Sequence, residues 1–292
     1  MKLWMAKAER GSVALIGLIV WLAKTVGRPF CRLLLYPIVA YFFVTDAVAR
    51  RSSRDFLSRV AGRPARARDI FGHIYSFAAT LLDRVYMAGG KFGRFKVTVE
   101  GVALVREALK GGKGCLLLGS HLGSFDLMML ANQALDTQPI SVMMHFDPRS
   151  RVRRMAGIDD GQFGIIPLGR PDSFLRAYEV LQQGGIVATL ADRVDGAGAS
   201  LDANFLGTPA SFPIGPHVLA ARSGAAVLMC FGLYEGGSSY RIEFTEFGAG
   251  AERQSRGAAL QPVVDRYAFL LERHARRYPN NWFNFYPYWT TR

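Results

Sequence analysis

His121 and Asp126 stand five positions apart in the stretch GSHLGSFD, residues 119–126. An imidazole beside a carboxylate is a general-base pair. The carboxylate fixes one tautomer, stabilises the imidazolium, and leaves the other ring nitrogen to take a proton. The pair brings no nucleophile, so its natural task is to deprotonate a hydroxyl or amine carried by a substrate. Ser120, Gly123 and Ser124 keep the loop small, so a bulky substrate can approach, and N–H groups exposed on the loop or at a helix end could stabilise an oxyanion. On spacing alone, the same residues read as a helix start with an acidic first turn and a surface histidine.

The elements around the pair give it a place. Gly114 to Gly119 (GCLLLG) reads as a short buried strand, and Ser124 to Leu135 as a helix with Ser124 suited to the N-cap. Further strands are expected at Phe95–Glu100, Pro139–Met144, Gly164–Leu168, Ile186–Ala191, Ala225–Gly232 and Ser239–Phe247. Helices are expected at Val102–Lys110, Asp172–Gln183, Gly215–Ser223 and Leu260–Arg277. Strands alternating with helices predict an α/β fold: a mainly parallel central sheet flanked by helices. His121 then falls at the carboxyl end of a strand, where open α/β sheets bind ligands. Asp192 and Arg193, after IVATLA, fall at the same edge, where a site role competes with a plain internal salt bridge. RPARARD, Arg63 to Asp69, reads as a surface turn rather than a boundary.

Residues 1–60 hold ten Lys/Arg against three Asp/Glu in a chain of net charge +13. Apolar runs interleave with this charge: GSVALIGLIVWLAK at Gly11–Lys24 and LLLYPIVAYFFVTDAV at Leu33–Val48. The mixture favours an anionic membrane surface over nucleic acid. Residues 1–60 are therefore expected to form an N-terminal apolar membrane-anchoring helical segment, as one short span or two interfacial helices, and residues 61–292 the α/β domain. A signal peptide and a pair of buried core helices are the competing readings. Cys31, Cys115 and Cys230 lie far apart among apolar neighbours and suggest neither a disulfide framework nor a metal site. His145 and His217 join His121 in no metal-ligand pattern and read as structural. No G-x-S-x-G nucleophile elbow or dinucleotide-type glycine loop is present. The tail WFNFYPYW reads first as core cover and second as an interfacial belt.

With these neighbours, GSHLGSFD resembles the H-x4-D/E motif of glycerolipid-type acyltransferases. The whole chain is similar to the bacterial lipid A biosynthesis (late) acyltransferase family. The similarity runs from the apolar N-terminus and the strand before His121 through IIPLGR (165–170), LADRVDG (190–196) and NFLGTPASFPIGPHVLAARSGAAV (204–227) to the aromatic close YPNNWFNFYPYW (278–289). The resemblance implies acyl transfer from an acyl carrier protein or coenzyme A thioester to a hydroxyl or amine of a lipid or glycolipid acceptor. It places that reaction at the cytoplasmic face of the bacterial inner membrane. His121 is then the general base and Asp126 its orienting partner. No acyl-enzyme and no cofactor is needed, since the thioester is a co-substrate.

In the same frame Arg170 sits where related acyltransferases hold an acceptor phosphate, and Asp192 and Arg193 lean towards the site. Arg149, Arg151, Arg153 and Arg154 read either as a site for a lipid or phosphopantetheine phosphate or an acidic carrier protein, or as a solvated helix face. The acceptor stays open. The reading from another class is a non-catalytic lipid- or carrier-protein-binding protein on a degenerate acyltransferase fold.

Overall fold

The computed structural model describes residues 25–88, 92–124, 127, 135, 139–145, 164–194, 198–248 and 260–289. Three helices come first: α1 (Arg28–Thr45), α2 (Ala47–Ala61) and α3 (Ala67–Ala88). The α/β part comes next as β1 (Lys96–Glu100), α4 (Val102–Lys110), β2 (Cys115–Gly119), β3 (Ser141–Met144), β4 (Gly164–Pro167), α5 (Ser173–Gln182) and β5 (Ile186–Leu190). It continues with β6 (Ser200–Phe205), β7 (Thr208–Pro213), α6 (Gly215–Ser223), β8 (Ala226–Gly236), β9 (Ser239–Glu246) and α7 (Gln261–Arg277).

Seven strands form one sheet in the order β1-β9-β8-β2-β5-β3-β4. Five of them, from β8 to β4, run parallel, while β9 turns back antiparallel to β8 and carries β1 parallel to itself. The expected mainly parallel sheet is observed. The central strand is β2, and every residue of CLLLG is buried, as a strand covered on both faces requires. Its alternate residues serve two cores. Leu116 and Leu118 join Val187, Met229, Phe231 and α7 on one face; Cys115 and Leu117 join Ile186, Ala188, Cys230 and α4 on the other. Helix α3 contributes to both, with Ile70 and Ile74 in the first core and Ala79, Leu82 and Tyr86 in the second. The three cysteines are free and buried.

Two elements depart from the sequence expectation. Residues 200–213 form an antiparallel hairpin, β6–β7, where Pro209 and Pro213 argue against a strand. Leu206 and Gly207, both at positive φ, make its two-residue turn. The long α3 is the second departure. Its buried residues run almost around the helix, which hides the one-sided stripe that marks an amphipathic helix. RPARARD does form the α2–α3 connection and enters α3 at Ala67.

The helix α1 starts after Gly27, which adopts φ +97°, and has a proline in its first turn. It buries Cys31, Leu35 and Val39 against the body and leaves Phe30, Leu33, Tyr41 and Val44 exposed. Asp46 ends it and caps α2, its carboxylate accepting the Ala49 N–H at 3.0 Å. Among the described residues no single helix is long and apolar enough to cross a membrane, but α1 and α2 together, bent by 94°, reach that length and composition. Residues 1–24, including the first apolar run, lie outside the described residues.

Candidate active site

Strands β2 and β5 are parallel neighbours, with Gly119 opposite Leu190. Two residues beyond that pair on each strand come His121 and Asp192. Sheet register alone therefore brings them side by side at the carboxyl edge. His121 Nδ1 stands 2.8 Å from Asp192 Oδ1, and the His121 backbone N–H donates to Asp192 Oδ2 at 3.0 Å. The imidazole is 33% exposed and the carboxylate wholly buried. This is a solvent-reaching imidazole on a buried, fixed acceptor.

Burial alone would push the Asp192 carboxyl upward. The His121 imidazole, the Arg193 charge and the His121 N–H outweigh burial and hold it down at about 2. An ionised carboxylate on Nδ1 requires the proton there, so the neutral ring presents its lone pair at Nε2. Among the described residues no group bonds Nε2. The plain internal Asp192–Arg193 salt bridge, the reading that competed with a site role, does not form. The Arg193 guanidinium instead donates to the Phe283 carbonyl at 2.8 Å and lies over the Tyr286 ring, 5.2 Å from its centroid.

The aromatic tail completes this edge. Trp282 is fully buried, and its indole Nε1–H donates to Asp192 Oδ2 at 3.2 Å. Tyr288 donates its hydroxyl to the Asp192 carbonyl, and Tyr267 of α7 to the Gly119 carbonyl, each at 2.8 Å. The Phe283 N–H donates to the His121 carbonyl at 2.9 Å. Phe283 and Phe285 lie 5.3 and 5.2 Å from Phe77 of α3, which is partly exposed. An aromatic cluster is thus tied to the histidine through the Phe283 backbone. The expected core cover is present, with a role that composition did not signal: it holds the carboxylate.

The loop after β2 is clamped through its backbone. Ser120 is buried and its Oγ accepts the Leu122 N–H at 3.1 Å. The Gly123 N–H donates to Asn281 O, and the Ser124 N–H to Gly232 O, each at 2.7 Å. These amides are therefore committed, and the expectation that exposed N–H groups of this loop hold an oxyanion is not met at Leu122, Gly123 and Ser124. Gly123 itself is obligatory. It adopts φ +86°, and a Cβ there would stand 2.0 Å from Gly232 O. Asn281 forms part of a cleft of about 420 Å³ with Ser76, Tyr234, Arg277, Tyr278 and Asn280.

The remaining candidates divide. Arg170 is exposed at the carboxyl end of edge strand β4. It shares the edge with His121 but lies three strands away, about 14 Å at normal strand spacing. His145 is exposed after β3 on that edge, between them in strand order. His217 is buried in α6, and burial pushes it down to about 4. Among the described residues no group of His, Cys, Asp or Glu could hold a metal. Burial raises the Cys115 thiol to about 12 and Cys230 upward as well, which leaves both inert. Asp126, Arg149, Arg151, Arg153 and Arg154 lie outside the described residues.

Comparison with known proteins identifies the family. The family model described as bacterial lipid A biosynthesis acyltransferase matches residues 14–291. Phosphatidylinositol mannoside acyltransferase of Mycobacterium tuberculosis, in strains CDC 1551 / Oshkosh and ATCC 25618 / H37Rv, is 26% identical over 195 residues. That match covers 65% of this chain and 59% of the relative, so the chain spans about three fifths of the length of the curated relatives it matches.

Proposed function

Since the chain belongs to the bacterial lipid A biosynthesis acyltransferase family, we propose that it is an acyltransferase. It moves a fatty acyl chain from an acyl carrier protein or coenzyme A thioester to a hydroxyl or amine of a lipid or glycolipid acceptor. The observation that carries this reading is the His121–Asp192 contact, a buried carboxylate on a partly exposed imidazole at the ligand-binding edge.

The chemistry rests on the geometry. The acceptor O–H or N–H is presented to His121 Nε2. As its oxygen or nitrogen attacks the thioester carbonyl, Nε2 takes the proton, and Asp192 stabilises the imidazolium. The tetrahedral intermediate collapses with cleavage of the C–S bond, and the proton on Nε2 passes to the departing thiolate. No cysteine enters the sequence of steps. Asp192 occupies the orienting role that the H-x4-D spacing suggested for Asp126. Asp126 remains the motif's second carboxylate, for the acceptor or the imidazole.

Membrane association is part of this proposal. The exposed residues Phe30, Leu33, Tyr41 and Val44 recur at helical spacing along α1, and Arg51 and Arg54 are exposed on α2. An apolar stripe beside basic residues suits an anionic interface. Leu81 and Phe77 of α3 are likewise exposed, extending apolar surface towards Phe283 and the histidine.

The test is transfer of a radiolabelled acyl group from palmitoyl coenzyme A, or from palmitoyl-acyl carrier protein, into membrane lipid by the purified full-length chain. Label entering lipid with wild type and lost with His121→Ala supports the reading. Thioester and lipid both left unchanged, with lipid vesicles still bound, would replace it by the binding-protein reading.

A further inference from the structure

The carboxylate of Asp192 is held by more than the histidine it serves. Its Oδ2 accepts two hydrogen bonds, from the His121 N–H and from the Trp282 indole N–H. Trp282 in turn is fixed at both ends. Its ring packs against Phe56 at 4.8 Å, Phe205 at 5.3 Å and Tyr288 at 4.8 Å between centroids. Its carbonyl accepts a hydrogen bond from Nε2 of His73 at 2.9 Å, and Nδ1 of His73 lies 2.8 Å from the Ser53 hydroxyl.

The polarity of this series is fixed by what each group can do. A carbonyl only accepts, so His73 must carry its proton on Nε2. Nδ1 must then accept, so Ser53 donates. His73 is wholly buried, and burial pushes it down to about 4, which keeps it neutral in this one tautomer at any working pH. Ser53 and Trp282 are equally buried. Three polar groups have thus been taken into an aromatic core, each costly unless paired, and each is paired in one direction only, towards Asp192. Filling the same space would need only apolar side chains.

We propose that Trp282, His73 and Ser53 are positioning residues for the acyl-transfer site, acting on His121 through Asp192. The inference rests on the reading of His121 and Asp192 as the base pair. Trp282 draws charge onto Oδ2 and leaves Oδ1 for the imidazole, so the carboxylate orients the ring without holding its proton too strongly. His73 and Ser53 set the place of Trp282 from helices α3 and α2. Helix α3, which carries exposed Phe77 and Leu81, is thereby tied to the Asp192 carboxylate.

The consequence is a pH signature. Among the described residues, the charged and titratable groups at the Asp192 carboxylate are the His121 ring, Arg193 and the hydroxyls of Tyr267 and Tyr288, which donate to backbone carbonyls and are held protonated by burial. Removing the indole N–H leaves these in place and concentrates charge on Asp192. The imidazolium is then held more tightly, and the acid limb of kcat/KM moves to higher pH.

The experiment compares wild type, Trp282→Phe, His73→Phe, His73→Gln and His121→Ala, using the full-length protein with a palmitoyl thioester and membrane lipid. Losing one hydrogen bond to a charged group is expected to cost kcat roughly tenfold or more, with the thioester KM little changed. Trp282→Phe should also raise the acid-limb midpoint by roughly half a pH unit or more. His73→Phe should lower kcat, and His73→Gln, whose amide can still donate to the Trp282 carbonyl, should recover most of it. If Trp282→Phe does not accumulate as folded protein, benzothiophene in place of the Trp282 indole removes only the N–H and must give the same shift. A wild-type midpoint with kcat near wild type in the Trp282 variant, or His73→Gln no better than His73→Phe, overturns the inference. If His121→Ala is inactive while the Trp282 variant behaves as wild type, the positioning role alone fails. If His121→Ala stays active, both readings fall.

Discussion

The imidazole of His121 and the carboxylate of Asp192 meet at 2.8 Å across 71 residues of sequence, because they end adjacent parallel strands in register. The second contact, from the His121 N–H to Oδ2, makes the carboxylate a two-point clamp on backbone and ring together. An asparagine at 192 cannot fill that role. One of its two positions is an N–H₂ that would face an N–H donor. Asp192→Asn should therefore lower kcat by roughly 10²–10⁴ with little change in folding. Steady-state rates beside circular dichroism check this. Asp126→Asn measured in parallel tells which carboxylate the base depends on.

The loop carrying His121 depends on the absence of a side chain at 123. A Cβ there would meet Gly232 O at 2.0 Å in a backbone already at φ +86°. Gly123→Ala must push β8 and the loop apart. We expect a loss of at least about 2 kcal/mol in urea unfolding, with activity falling in the fraction that remains folded.

Asp83 anchors the first helix. It is wholly buried, pairs with Arg28 at 2.7 Å and Arg32 at 3.4 Å, and accepts the Tyr240 hydroxyl at 2.8 Å. Both arginines also donate to Gly237 O in the β8–β9 turn. Asp83→Ala leaves two guanidiniums without this counter-charge and a buried phenol without its acceptor, at a cost of about 3–5 kcal/mol. Limited proteolysis should then cut near residue 45, between α1 and α2, before the sheet unfolds.

Two buried imidazoles set the acid stability of the fold. His73 and His217 are both held at about 4 by burial, against about 6.5 in an unfolded chain. Between these values the unfolded state binds more protons, so stability falls as pH drops from about 6.5 towards 4. Each imidazole contributes a slope of up to about 1.4 kcal/mol per pH unit. Asp192 acts lower. Its depressed pKa gives stability that is present above the ordinary carboxylate value and is lost only as pH falls towards about 2. Urea midpoints at pH 7, 5.5 and 4.5 should decline, and His73→Gln should flatten the decline.

The sheet and the histidine were legible in the sequence for one physical reason. A buried parallel strand must be apolar throughout, so CLLLG stands out, and the residues just after such a strand lie at the ligand edge. Asp192 was visible by the same rule but not as the partner of His121. Strand order, β5 beside β2, comes from long-range packing and leaves no local mark. The spacing drew attention to Asp126 because pairing within one loop is the only pairing a linear motif can display. Trp282 was legible as core and not as a hydrogen-bond donor to a carboxylate. His73 was invisible, since α3 is buried around much of its circumference and a lone histidine there resembles its neighbours. A buried histidine and serine on successive helices of an apolar core could have been the signal.

The most direct test of acyl transfer through His121 and Asp192 is lipid mass spectrometry of cells carrying wild type, His121→Ala, Asp192→Asn or an empty vector. A lipid heavier by one acyl group should appear with wild type and be absent or strongly reduced in both variants, with all three proteins present at equal levels in the membrane fraction. The same acylated lipid at wild-type abundance in the His121→Ala and Asp192→Asn cells, and not with the vector, would contradict it.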